Sequence, residues 1–187
     1  MATTELTFHP TEKNKPTLVF FQDEGRFGRI NELHKCWVPK KIRAKVGKQI
    51  VREYVYAYTA VCPKTGDSFS LIMPYADTDA MSIFLNEFSK KFNNYKIIMI
   101  MDKASWHRSK FLQIPSNIKL LFLPAFSPEL NPVEHIWNYI KQKFFYNRIF
   151  NSMDNLIDKL CIALNYLHTV KNEIISLTLF NWLISYV

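Results

Sequence analysis

Two stretches of the chain are apolar almost without interruption, and each ends in an acid. The first is Thr17-Leu18-Val19-Phe20-Phe21-Gln22-Asp23 and the second is Lys96-Ile97-Ile98-Met99-Ile100-Met101-Asp102. A continuous apolar run of this length reads as a strand buried on both faces. Residues 54–62 are rich in aromatic and β-branched side chains, and residues 68–73 resume the pattern after the turn Pro63-Lys64-Thr65-Gly66. These two predict a hairpin. Residues 118–123 form a fifth short apolar segment. Helical periodicity appears over 79–92, where Asp79 is placed to cap and Met81, Phe84, Leu85 and Phe88 share one stripe. It returns from 132 to about 146, over 152–167 and over 171–185. A short helix or turn follows Asp102 as far as Gln113, and a Pro-rich loop spans 124–132. The order predicts an α/β domain with a mixed five-stranded sheet flanked by helices, the hairpin on one side and crossover-linked parallel strands on the other. Residues 17–150 hold this domain, 1–16 form a polar lead-in, and 151–187 add C-terminal helices to it.

Charge changes the picture more than composition does. Lys and Arg number 24 against 16 Asp and Glu, a net +8, which favours a polyanionic partner such as nucleic acid. With 48% hydrophobic residues there is material for a packed core, and only 4 Gly argues against a chain built on glycine-rich phosphate loops. Cys36, Cys62 and Cys161 are far apart and form no CxxC pair, so neither a disulfide framework nor a zinc site is expected. The N-terminus has no apolar segment of signal-peptide type, and every apolar run is shorter than the ~20 residues that span a bilayer. The expected setting is the cytoplasm, with the nucleoid and no membrane partner.

Functional groups of open α/β sheets collect at the carboxyl ends of strands. If the strands ending at Asp23 and Asp102 are parallel neighbours, two carboxylates stand side by side and repel unless a cation lies between them. Hard oxygen donors of this kind suit Mg²⁺ or Mn²⁺. Glu134, near the start of the helix after the Pro-rich loop, is placed to complete a two-metal site for displacement at phosphorus. A strand-end acid is also a common turn former. Asn131, Pro132 and Glu134 nearly make a capping box, which on residue chemistry alone is the stronger reading of Glu134. His107 and His135 stand near these acids and also fit ordinary hydrogen-bonded roles. Basic residues interleaved with aromatics between Arg26 and Lys48, with Trp37 among them, have the composition of a surface that tracks a phosphate backbone, or of a solvated loop.

At three places the sequence resembles one family. Phe21-Gln22-Asp23-Glu24-Gly25-Arg26-Phe27-Gly28-Arg29 is similar to the first-acid motif of insertion sequence 630 transposases, a branch of the mariner superfamily. Met101-Asp102-Lys103-Ala104-Ser105-Trp106-His107-Arg108-Ser109-Lys110 resembles the second motif. Leu123-Pro124-Ala125-Phe126-Ser127-Pro128-Glu129-Leu130-Asn131-Pro132-Val133-Glu134-His135-Ile136-Trp137 resembles the third, which is long and specific. Lys103, Ala125, Phe126, Lys41 and Ala44 depart from residues common in the family, and 31 residues separate Asp102 from Glu134 (134 − 102 − 1), which fits one branch.

The resemblance implies an RNase H-like fold. It implies a metal-binding catalytic triad of Asp23, Asp102 and Glu134, with two Mg²⁺ or Mn²⁺ ions. It also implies cleavage at transposon ends followed by attack of the freed 3′-hydroxyl on target DNA. Arg26, Arg29, Lys40, Lys41, Arg43, Lys103, His107 and Arg108 are the candidate DNA contacts. Relatives carry helix-turn-helix units ahead of the core, and Asp23 lies too near the start for one, so a separate or fused end-reading subunit and a homo-oligomer on DNA are expected. Two alternatives remain: a DNA-binding remnant without activity, and another RNase H-like nuclease.

Overall fold

The computed structural model describes residues 8, 14–43, 45–125 and 127–180. Ala44, Phe126, most of the polar lead-in and the last seven residues lie outside this set, and so does the end of the helix expected over 171–185. The sheet has five strands: β1 (Thr17–Ile30), β2 (Ile50–Val61), β3 (Ser68–Met73), β4 (Lys96–Met101) and β5 (Ile118–Phe122), in the order β3-β2-β1-β4-β5. β2 is antiparallel to both β1 and β3, whereas β4 runs parallel to both β1 and β5. The helices are α1 (Thr78–Lys91), α2 (Val133–Ile140), α3 (Met153–Leu167) and α4 (Lys171–Thr178).

Alternation along the strands builds two cores. Phe20, Tyr58, Ile97, Met99 and Met101 face α1, whose Met81, Phe84, Leu85 and Phe88 are fully buried against them. Phe21, Phe27, Val55 and Val61 face the other way, onto Ile136 and Trp137 of α2, Leu156, Leu160 and Leu164 of α3, and Ile174 of α4. Helices on both faces explain why β4, and β1 as far as Phe21, are apolar at both sets of alternate positions. The C-terminal helices therefore share the second core with the sheet.

Some boundaries differ from those the sequence predicts. β1 does not stop at Asp23. It continues to Ile30, paired with β2 through Glu24↔Tyr58, Arg26↔Tyr56 and Gly28↔Tyr54, with a bulge before Ile30↔Ile50. Beyond Asp23 the strand has lost its apolar run, but the ladder to β2 carries it on. The basic loop shrinks to residues 31–49, tied at its base by Gln49 N donating to Asn31 Oδ1 at 2.8 Å. Asp77, not Asp79, caps α1, accepting from Ala80 N at 2.8 Å. α2 ends at Ile140 and gives way to a π-helical turn over Lys141–Phe145. The capping box at Glu134 does not form: Asn131 N donates to Pro128 O, while the Asn131 side chain accepts from Val133 N.

Gly25 is required by close approach. A Cβ there would lie 2.9 Å from two ring atoms of Trp137 and 3.0 Å from Phe27. Gly25→Ala is expected to push the Trp137 ring outward and to cost about 1–3 kcal/mol as overpacking. Thermal denaturation checks this as a fall in Tm of roughly 2–4 °C per kcal/mol for a domain of this size.

Candidate active site

The parallel register decides where the first two acids stand. Thr17 pairs with Lys96 and Phe21 with Ile100, a constant offset of 79 (96 − 17, 100 − 21). Asp23 and Asp102 each lie two residues beyond the last rung of that ladder, so both carboxylates stand at the same end of the sheet. The third acid arrives from the opposite direction. Asn131, buried between the Pro-rich loop and α2, donates from Nδ2 to Gln22 O at 3.0 Å and so fastens the start of α2 to β1 one residue before Asp23. Glu134 then projects from the first turn of α2, and Trp137, three residues on, lies on the same side. Its Nε1 donates to Asp23 Oδ2 at 2.9 Å. Asp23, Asp102 and Glu134 all line one cleft of about 540 Å³, together with Lys103, Arg108 and the Pro-rich loop.

The charges are divided unequally. Asp23 is pushed up to about 7 by burial first, then by repulsion from Glu24 and Glu134, against the opposing hydrogen bond from Trp137. Asp102 is half screened by a cation. His107 Nδ1 lies 2.8 Å from its Oδ1, and Ala104 N donates to the same oxygen at 2.9 Å. That ion pair holds the Asp102 carboxyl below its usual range. His107 is itself buried, with 1% of its side chain exposed, and its Nε2 meets Glu24 Oε1 at 2.9 Å. Burial by itself lowers the His107 pKa, but the bonds and charges of Asp102 and Glu24 outweigh it and raise it to about 10. An imidazolium thus cross-links β1 to the segment after β4. Gln22 Nε2 donates to the same Glu24 oxygen at 2.8 Å.

The donor set fits a hard divalent cation. Three carboxylates share a cleft, and the most buried of them is pushed up to about 7 by its burial first and by its negative neighbours second. Among the described residues, however, no three His, Cys, Asp or Glu side chains are gathered closely enough to cage an ion as they stand. Asp102 has one oxygen turned to His107 and Ala104, and Glu134 is exposed.

The candidate DNA contacts fall into three groups. Lys103 and Arg108 line the acidic cleft, and Arg26 lines a second cleft of about 600 Å³ that shares Asp23 and Glu134 with the first. Lys40, Lys41 and Arg43 are exposed on the 31–49 loop, away from both clefts. Arg29 and His107 are not available to phosphate. Arg29 is spent on Glu53 at 2.7 Å and on the carbonyls of Phe150 and Asn151, and His107 is buried between two acids. His135 stacks edge-on against Phe180 instead of facing the acids. Sequence reasoning passed over Glu24, Trp137, Asn131, Arg52 and Lys141. For Trp137 the cue was its i+3 spacing from Glu134, and for Glu24 it was a second acid directly after Asp23.

Comparison with known proteins places the chain in a family and a fold. The DDE superfamily endonuclease family matches the chain over residues 18–157. The uncharacterized protein y4pE/y4sA of Sinorhizobium fredii (strain NBRC 101917 / NGR234) is 38% identical over 130 residues, covering 69% of this chain and 96% of its own length. Among solved structures, the Mos1 mariner paired end complex with Mn superposes with a TM-score of 0.60 at 13% identity, over 85% of this chain and 53% of that one. The Mos1 strand transfer complex gives 0.56 at 13% identity, over 86% and 53%. These two share the fold, and the chain spans about half the length of the Mos1 chains.

Two substitutions should shift stability in opposite directions in metal-free protein. A raised carboxyl favours the fold below its unfolded value of 3.8, and that contribution is lost as pH rises through about 7. Asn does not titrate and keeps an oxygen for Trp137. Asp23→Asn should therefore raise Tm above neutrality and give no gain near pH 4. The size is on the order of 2 kcal/mol, less than the roughly 4 that three pH units represent, because solvent reaches one side of the group. The raised His107 contributes stability that is complete below 6.5 and lost as pH passes about 10. At neutral pH His107→Ala leaves Glu24 buried without its cation, at a cost of about 3 kcal/mol or more. Thermal melts of both variants across pH check the pair.

Proposed function

Since the chain belongs to the DDE superfamily endonucleases, we propose that it is the catalytic core of a transposase of the mariner and insertion sequence 630 type, with Asp23, Asp102 and Glu134 as its metal-holding catalytic acids. The observation that carries this reading is the convergence of those three carboxylates, from β1, the end of β4 and the first turn of α2, on one cleft. Mg²⁺ or Mn²⁺ fits the donor set, and two ions are proposed. Bound there, such ions would neutralise the carboxylates and polarise the phosphoryl oxygens of a phosphodiester. A Mos1 complex solved with Mn is consistent with this cofactor class.

The chain's own residues supply positioning. Trp137 orients the Asp23 carboxyl, His107 fixes the Asp102 carboxyl against Glu24, and Asn131 anchors the helix that carries Glu134. The two clefts meet at Asp23 and Glu134 and so form one groove, with Lys103 and Arg108 on one arm and Arg26, Arg52 and Lys141 on the other. A phosphate backbone laid along it meets cations on both sides of the acids. Hydrolysis of one phosphodiester would free a 3′-hydroxyl, and attack of that hydroxyl on a target phosphodiester would join the strands. In-line geometry and charge stabilisation carry both steps, and no covalent enzyme intermediate is needed. DNA is the substrate and partner. Reading of the transposon ends is assigned to a helix-turn-helix unit, fused or separate, and the working form to a homo-oligomer on DNA, in the cytoplasm.

The test is nicking of duplex DNA bearing the element's ends, with Mg²⁺ or Mn²⁺ present. Cleavage should vanish with a chelator. Asp102→Asn should lower it by more than roughly a hundredfold, beyond the ~10–100-fold that changes outside the ligand shell cost. Binding to DNA without any cleavage would identify an inactive remnant, and cleavage without strand joining a different nuclease of this fold. Proton competition at Asp23 gives a further check. Below about pH 7 the apparent affinity for Mn²⁺, read by calorimetry, should fall by up to about tenfold per pH unit, because binding must displace that proton.

A further inference from the structure

The groove does not end at the acids. Its Arg52, Glu53 and Tyr54 also line a third cleft of about 750 Å³ at the top of the sheet, beyond the end of β3. This cleft is aromatic. Tyr75 is 68% and Tyr54 48% exposed, with half-buried Tyr56 between the strands, its ring 5.8 Å from that of Tyr54 and almost perpendicular to it. Exposed tyrosines at this density are unusual on a face with no packing partner among the described residues, since a ring of this size is ordinarily worth burying.

Two cations stand at the cleft, Arg52 in its lining and Arg26 beside the Tyr54 ring. Glu53 is paired with Arg29 at 2.7 Å, and the Asp77 carboxyl is committed to the N-terminus of α1. Arg52 is exposed, and the Arg26 guanidinium lies 5.3 Å from the centre of the Tyr54 ring. The Tyr75 backbone is held in place. The hydroxyl of fully buried Tyr58 donates to Tyr75 O at 3.2 Å and accepts from Asp77 N at 3.3 Å. The ring is thus presented from a fixed backbone position and not from a loose loop tip.

We propose that this cleft is a binding site for an unpaired nucleic-acid strand that continues from the scissile phosphate, with bases stacking on Tyr54 and Tyr75 and phosphates meeting Arg26 and Arg52. Cations beside exposed aromatic faces are the arrangement that single strands recognise, because every base has a face to stack. A duplex covers those faces with its own neighbours and offers the tyrosines nothing to stack on. The proposal rests on the reading of the Asp23 and Glu134 cleft as the reaction site, because continuity with that cleft is what makes a nucleic acid the occupant.

The experiment measures binding of the full chain, without metal so that nothing is cut, to a short oligothymidylate and to a duplex of equal length, by fluorescence anisotropy. The variant Tyr54→Ser/Tyr75→Ser alters exposed side chains, and an unchanged thermal melt confirms that it folds. It should weaken the oligothymidylate by about tenfold or more and the duplex by less than about twofold. Tyr54→Phe should behave as wild type, because stacking needs the ring and not the hydroxyl. A 2-aminopurine in the strand should be quenched by wild type and not by the double variant. Equal losses for strand and duplex, or no loss for either, would overturn the proposal, as would a wild-type chain that binds neither. The two readings fail separately. Nicking that depends on Asp102 with no tyrosine effect removes the single-strand site alone. Tyrosine-dependent strand binding without nicking removes the nuclease reading and leaves a single-strand site.

Discussion

The structure turns on one pairing, the parallel ladder between β1 and β4. It brings Asp23 and Asp102 to the same end of the sheet, where buried Asp23 also meets the negative charge of Glu24 and Glu134. A register slip of one residue would turn Asp23 away from α2 and into the core beneath α1. The register is held because Phe20 and Phe21, adjacent in sequence, belong to different cores on opposite faces of the sheet. Packing on both sides thereby fixes an electrostatic problem in place.

The chain answers that problem in two different ways. Glu24 and Asp102 share a buried imidazolium, which offsets part of their charge within the fold. Asp23 and Glu134 receive no such partner among the described residues. Asp23 is given only the neutral N–H of Trp137, which orients the carboxyl without cancelling its charge. Unbalanced charge at a buried group is destabilising in the folded chain and is the usual signature of a site adapted to something it binds. The division also explains why His107 serves poorly as a phosphate ligand despite its place in the second motif: it is consumed as the internal counterion.

Much of this was legible in the sequence, for identifiable reasons. The two buried strands announce themselves because apolar runs ending in acids have few other readings, and α1 because its stripe of Met81, Phe84, Leu85 and Phe88 matches a helical period. The extension of β1 to Ile30 was hidden. From Glu24 onward the strand is stabilised by the ladder to β2, and a ladder partner more than twenty residues away leaves no local trace. Trp137 against Gly25 was hidden for the same reason: only the folded chain brings a ring of α2 onto a strand that lacks a Cβ at that point. The partners of Arg29 were hidden too, because sequence shows its charge and not Glu53 or the carbonyls of Phe150 and Asn151 beside it. Glu134 is the instructive case. Local chemistry favours a capping role, yet the Asn131 side chain accepts from Val133 N and reaches β1 with its amide, and Glu134 is left exposed at the cleft.

The same logic connects the acids to the surface beyond them. A helix that must carry Glu134 to the cleft has to start near β1, and the Pro-rich loop is the device that brings it there, with Asn131 as the bolt. Because β1 overhangs past Asp23 instead of ending at it, the far wall of the groove is made of strand and not of loop. Arg26 and Tyr54 are therefore held two rungs apart with their side chains on one face of the sheet, since Arg26 pairs with Tyr56 and Gly28 with Tyr54. Groups that are to meet a substrate at fixed distance from a reactive phosphate need such rigid mounting. The overhang that sequence failed to show thus supplies both the wall of the acidic cleft and the cations and tyrosines beyond it.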